Sequence, residues 1–260
     1  MDQNLIEKVL KRVASEMETA DAPGHTALAR EIGVTEFVGT AIGTTIGLVI
    51  ASVDPQLMAP MELGRYRSIG LIGGRAALGP YIMAVDDAVK ATNTEVISIE
   101  GPRDGNGGAG PGAFIIIGAD DVSDARRGVE TALDALEKYF GDIYVNSAGH
   151  LEYQYTARAS HCIEKAYGSP LGKAFGLVCA GPAAIGAVLS DVAVKAANVQ
   201  VVSYTSPNKG TDYNYSNEIT LTLTGDSGAV RQAVKASIDV GKKLLGALGE
   251  EPKAFATPYI

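Results

Sequence analysis

Two glycine-rich stretches, three histidines and two cysteines are the places where this chain could carry chemistry. "GNGGAG", Gly105 to Gly110, spells G-x-G-x-x-G. In a dinucleotide-binding fold that pattern follows a strand and opens a helix, whose N-terminus receives the pyrophosphate. Here an apolar, strand-like run, Ala113 to Gly118, comes next, which predicts a loop between two strands. "GRAALGPY", from Gly74, has the glycine spacing of a phosphate-binding P-loop. Pro80 stands where the lysine belongs, and Tyr81 where Ser or Thr would hold magnesium. A second copy, "GPAAIGAV" from Gly181, lacks both as well, so each is expected to be a strand-to-helix turn. His25, His150 and His161 share no close spacing, and no metal site is predicted. His161 and Cys162 are neighbours on a predicted helix and point apart, so they make no nucleophile–base pair. The acidic pairs Asp86-Asp87, Asp120-Asp121 and Glu250-Glu251 fall at helix starts or surfaces, where solvation and the helix dipole account for them. No catalytic residue and no cofactor is assigned, and the chain is expected to be no enzyme.

Composition narrows the partners. The 260 residues are 46% hydrophobic and 20% charged, enough apolar material for a sizeable core. A net charge of −8 argues against nucleic acid, because phosphate binding needs clustered Lys and Arg. Two cysteines, Cys162 and Cys179, form no motif, which suits a reducing cytosol. "MDQNLIEKVLKRV" puts charges where a signal peptide needs an apolar stretch. The charge-poor runs Phe37 to Val53 and Ala174 to Ser190 contain several glycines and are expected to be buried sheet, not membrane spans.

The elements that would position any site are written twice. "DDAVKATNTEVISI", from Asp86, and "DVAVKAANVQVVSY", from Asp191, both read D-x-A-V-K-A-x-N before a β-branched strand, 105 positions apart. Outward from this phrase the first half reads as strand Phe37 to Ile50, a short helix near Leu57 after Asp54-Pro55, strand Ser68 to Gly73 and helix Pro80 to Thr92. Strand Glu95 to Ile99, a glycine-rich loop, strand Ala113 to Gly118 and a long amphipathic helix stopped at Gly141 complete it. The second half repeats the order: strand Leu151 to Thr156, helix Ala157 to Tyr167, strand Ala174 to Cys179, helix Ala183 to Ala197, strands Gln200 to Tyr204 and Glu218 to Thr224, helix Gly228 to Leu248. Gly70 matches Gly176 in this register, and Gly118 matches Gly225. The expectation is an α/β (α+β) protein of two tandem units, each βαβαββα, at residues 34–145 and 146–260. Residues 1–33 stand apart as an amphipathic helix, with Leu5, Ile6, Val9, Leu10 and Val13 on one face, and a linker.

The doubled phrase, together with a strand ending in Gly-Asp and a helix opening "SGAVRQAV" at Ser227, resembles the bacterial microcompartment shell domain. "TEFVGTAIG" from Thr35, "ATNTEVISIEGPRD" from Ala91, "QYTARAS" from Gln154 and "TGDSGAVRQAV" from Thr224 are similar to its propanediol- and ethanol-utilisation branch. The likeness runs from about Thr35 to the C-terminus. It implies two circularly permuted shell domains per chain, assembling as a homotrimer with six-fold pseudo-symmetry. Such trimers tile edge to edge with other shell proteins around metabolic enzymes in the cytoplasm.

The resemblance also implies roles for particular residues. Lys90 and Lys195 match the family's edge lysine, and Asn93 and Asn198 the polar residue beside it. The pore-facing loops fall on Asp104, Gly105, Asn106, Gly107 and Gly108 in the first half. In the second they fall on Ser206, Pro207, Asn208, Lys209, Gly210, Thr211, Asp212 and Tyr213. Such loops would pass a small polar metabolite such as a diol or glycerol, and residues 1–33 would attach enzyme cargo. A cytosolic regulator that binds a small ligand between duplicated α/β units is the alternative the residues leave open. Neither nucleic acid nor membrane is an expected partner.

Overall fold

The computed structural model describes residues 35–102, 112–206 and 217–260. Two antiparallel sheets follow one another along the chain. The first is built from β1 (Phe37–Ala41), β2 (Thr45–Ile50), β3 (Ser68–Gly74), β4 (Glu95–Glu100) and β5 (Ala113–Ala119), in the order β1-β2-β3-β5-β4. Helices α1 (Pro55–Met58), α2 (Gly79–Ala91) and α3 (Val122–Phe140) accompany it. The second is built from β6 (Ile143–Asn146), β7 (Gly149–Thr156), β8 (Ala174–Gly181), β9 (Val199–Thr205), β10 (Ile219–Gly225) and β11 (Lys253–Ala254). Its order is β11-β6-β7-β8-β10-β9, with helices α4 (His161–Tyr167), α5 (Ala183–Ala196) and α6 (Ser227–Gly246). Apart from β11, the two halves have one topology. Among the described residues no helix is long and apolar enough to cross a membrane.

Each half opens with a hairpin where the sequence suggested one strand, so the unit is ββαβαββα. The run from Phe37 to Ile50 is broken by Gly43 and Thr44, both with positive φ, in a turn that carries no Asn-Gly or Asp-Gly signal. In the second half Asn146 makes the turn, its side-chain oxygen accepting from the backbone N–H groups of Ala148 and Gly149. β6 therefore spans the division drawn at 145/146. Helix α4 starts at His161, not Ala157, because Ser160 is its N-cap and accepts from the Cys162 N–H at 3.1 Å.

One matched pair, Gly70 and Gly176, has a shared cause, whereas the strand register sets Gly118 in the place of Thr224 and not of Gly225. A Cβ on Gly70 would stand 2.5 Å from Val129 on α3, and one on Gly176 2.8 Å from Val230 on α6. In both halves the long helix lies so close on its sheet that no side chain fits beneath it. The largest core spans the two halves, joining Ile72, Met83 and Phe140 to Ile163, Phe175 and Leu177. The C-terminal strap closes the join: Phe255 lies against Phe140 with ring centroids 5.3 Å apart, and Asp142 accepts from the N–H groups of Tyr259 and Ile260.

Candidate functional site

The seam between the halves is made by one face of α2. Gly79, Ile82, Met83 and Asp86 on that face are buried, and Lys90 follows one turn on. Asp86 accepts from the N–H and hydroxyl of Ser160 at 2.8 and 2.5 Å, and the Cys162 thiol donates to the carbonyl of Ile82. Lys90 pairs with Asp86 and reaches the Thr156 hydroxyl at 3.3 Å, leaving its side chain 30% exposed.

Helix α5 is the twin of α2, with Asp191 in the place of Asp86. Its corresponding residues Ala184, Ala187, Val188, Asp191 and Lys195 are all exposed, Val188 at 47%. Lys195 pairs with Asp191 at 2.6 Å and keeps 73% of its side-chain surface. Asn93 and Asn198 are exposed, and the Asn93 amide donates to Asp124 at 3.4 Å.

Beneath the seam lies a cavity of about 470 Å³, walled by Leu78, Gly79 and Phe140 from the first half and by strands of the second. Its polar wall comes from sheet register. Glu152 of β7 is opposite Cys179 of β8, which is opposite Thr220 of β10. One row along, His150 is opposite Gly181, and Glu218 stands just before β10. His150 Nε2 lies 3.0 Å from Glu218 Oε2, and Thr220 donates its hydroxyl to Cys179 Sγ at 3.2 Å. Withdrawal from water, helped by the charge of Glu218, pushes Glu152 up to about 7. Burial lowers His150, but the hydrogen bond and charge of Glu218 outweigh it and raise the imidazole overall. Burial and both carboxylates push the Cys179 thiol well up.

Sequence spacing gave His150 no ligand partners, because the grouping runs across strands and not along the chain. The signal was the inward alternation His150, Glu152, Gln154 on one strand, readable only once the strands are paired. His161 is exposed and bonds Glu164 at 2.8 Å, while Cys162 is buried and turned elsewhere. The P-loop-like stretch is a turn into α2, where the Tyr81 hydroxyl is spent on the Gly43 carbonyl and Thr45. Of the expected pore loops, Ser206 follows β9, and Asp104 to Gly108 and Pro207 to Tyr213 lie outside the described residues, as does the segment 1–33. The base of the first loop is closed by the Gly112 N–H on the Pro102 carbonyl.

The BMC domain model matches residues 68–148 and 174–250. A bacterial microcompartment shell protein PduB of Citrobacter freundii is 53% identical over 263 residues, covering 98% of this chain and 97% of that protein. The crystal structure of a trimeric bacterial microcompartment shell protein PduB superposes with a TM-score of 0.82 at 50% identity, covering 87% of this chain and all of that one. EtuB from Clostridium kluyveri gives 0.83 at 50% identity, covering 87% of this chain and 99% of that one.

Proposed function

Because the chain belongs to the BMC-domain family of bacterial microcompartment shell proteins, we propose that it is a homotrimeric structural tile of such a shell. The observation that carries this is the difference between twin helices. The seam face of α2 is covered by the second half of the same chain, and the same face of α5 is bare. A second chain laying its first half on α5 repeats the internal seam, and three chains close a ring of six domains with none of these faces left over. Val188→Asp places a charge where the twin residue, Met83, is fully buried. Light scattering at micromolar concentration is expected to show a trimer for the parent and smaller species for the variant. A trimer that survives the substitution removes this face from the interface.

On this reading the chain sits in the shell of a cytoplasmic compartment and performs no turnover. Small polar solutes such as a diol or glycerol pass it by way of the loops following β4 and β9. The hydroxyls of Ser203, Thr205 and Thr220 on the cavity wall suit such solutes, since a hydroxyl desolvated without partners costs about 1–3 kcal/mol. Lys90, Asn93, Lys195 and Asn198 make lateral contacts to other tiles, and residues 1–33 attach cargo enzymes. The family match favours this reading over a ligand-binding regulator.

A further inference from the structure

We infer that His150, Cys179 and Glu218 bind one divalent metal ion of the zinc class in the cavity between the two halves. Their donor atoms all lie within 4.8 Å of one another. A tetrahedral ion with bonds of 2.0–2.3 Å needs donors roughly 3.4 Å apart, so side-chain rotation closes the set without moving a strand. Imidazole, thiolate and carboxylate together suit zinc or a neighbouring transition ion and not magnesium or calcium, which take oxygen.

The sheet is built to let these side chains meet. Gly181 separates His150 from Glu218 in the row, and a Cβ there would stand 2.9 Å from the His150 ring. The absent side chain opens the path by which the imidazole reaches the carboxylate. Gln154, fully buried, donates to Glu152 at 3.3 Å and fixes a second carboxylate beside the site. Glu152 and Glu218 bring two carboxylates to one cavity wall, and a dication is attracted to both. His150 and Glu218 keep 18% and 15% of their side-chain surface exposed, which gives an ion a way in.

The duplication supplies an internal control. Gly70 is opposite Val49 and Ile117, as Gly176 is opposite Tyr155 and Leu223. Counting along the strands from these pairs puts Thr44 in the place of His150, Ile46 in that of Glu152, Gly73 in that of Cys179 and Gly112 in that of Glu218. The first half folds the same way with none of the four. The fold therefore does not require these four side chains at this place. On binding, Cys179 Sγ releases its proton to solvent and bonds the metal as thiolate. The fourth position faces the cavity and takes water or a solute hydroxyl.

The test uses the full-length trimer, stripped with chelator and titrated with Zn²⁺ by calorimetry and with Co²⁺ by absorbance. One ion per chain and a near-ultraviolet thiolate-to-cobalt band are expected. Cys179→Ser should abolish the band, and His150→Gln and Glu218→Gln should each weaken Zn²⁺ binding at least about tenfold. Cys162→Ser should bind like the parent. The unmodified chain decides the matter even where a variant fails to fold: no stoichiometric uptake, or uptake without a thiolate band, overturns the site. A folded Cys179→Ser protein that still binds with parental affinity does the same. Trimer formation, followed in parallel by light scattering, reports on the shell reading separately.

Discussion

Asp86 accepts two hydrogen bonds from Ser160 across the seam and carries the Lys90 ion pair, all with its own side chain fully buried. Asp191, at the same place in the repeated phrase, pairs with Lys195 and is 58% exposed. Replacing Asp86 with Ala leaves the Ser160 N–H without its acceptor and the Lys90 ammonium without its nearest carboxylate, a loss of about 2–3 kcal/mol. Asp86→Asn keeps an oxygen for Ser160 and should lose less. Urea unfolding is the measurement, and an Asp86→Ala midpoint equal to the parent's would show that the seam does not depend on this carboxylate. The sequence displayed both aspartates and hid the difference, since burial belongs to what packs against a helix and not to the phrase it carries. The same holds for His150, Cys179 and Glu218, 29 and 39 residues apart along the chain, which only the pairing of β7, β8 and β10 brings together.

At the level of elements, periodicity and turn residues made most of each half legible. The long helices α3 and α6 announce themselves by apolar residues at helical spacing, and α1 by Asp54, whose side chain caps it at the Gln56 N–H as expected. The hairpins escaped because Gly43-Thr44 breaks a run that stays apolar on both sides, and Asn146 to Gly149 reads as a linker. The strap from Glu250 onward escaped because two residues of strand show no period at all. What the paired glycines did was visible only as coincidence until the helices were laid over them. Gly70→Ala pushes a Cβ against Val129 and Ile117, and Gly176→Ala against Val230 and Val234. Overpacking of this kind costs about 1–3 kcal/mol, and similar losses are expected at both positions because the contact is the same. Thermal or urea melts check this; a cost at one glycine and none at the other would mean that the helices do not rest on their sheets alike.

Over the whole molecule, duplication creates two copies of every surface and the covalent link treats them differently. One seam is satisfied within the chain, and its twin waits for another subunit. Lys90 illustrates the consequence for the rim. Its ammonium reaches the Thr156 hydroxyl of the second half, whereas the strand register puts Ile50 in the matching place for the twin seam. On the proposed ring Lys195 would meet no hydroxyl at that place, leaving its long stem and charge to a neighbouring tile. The exposed Lys195–Asp191 pair adds little to folding, typically under about 1 kcal/mol, whereas Lys90 faces a fully buried carboxylate and its removal costs more. The double substitution Lys90→Ala and Lys195→Ala is thus expected to leave a trimer with the parent's scattering mass and a lowered melting midpoint, the drop coming from Lys90. Lateral assembly is where the loss should appear: electron micrographs of concentrated protein should show fewer and smaller sheets than the parent forms under the same conditions. Sheets of equal extent would place lateral contact elsewhere on the rim, with Asn93 and Asn198 the next residues to change.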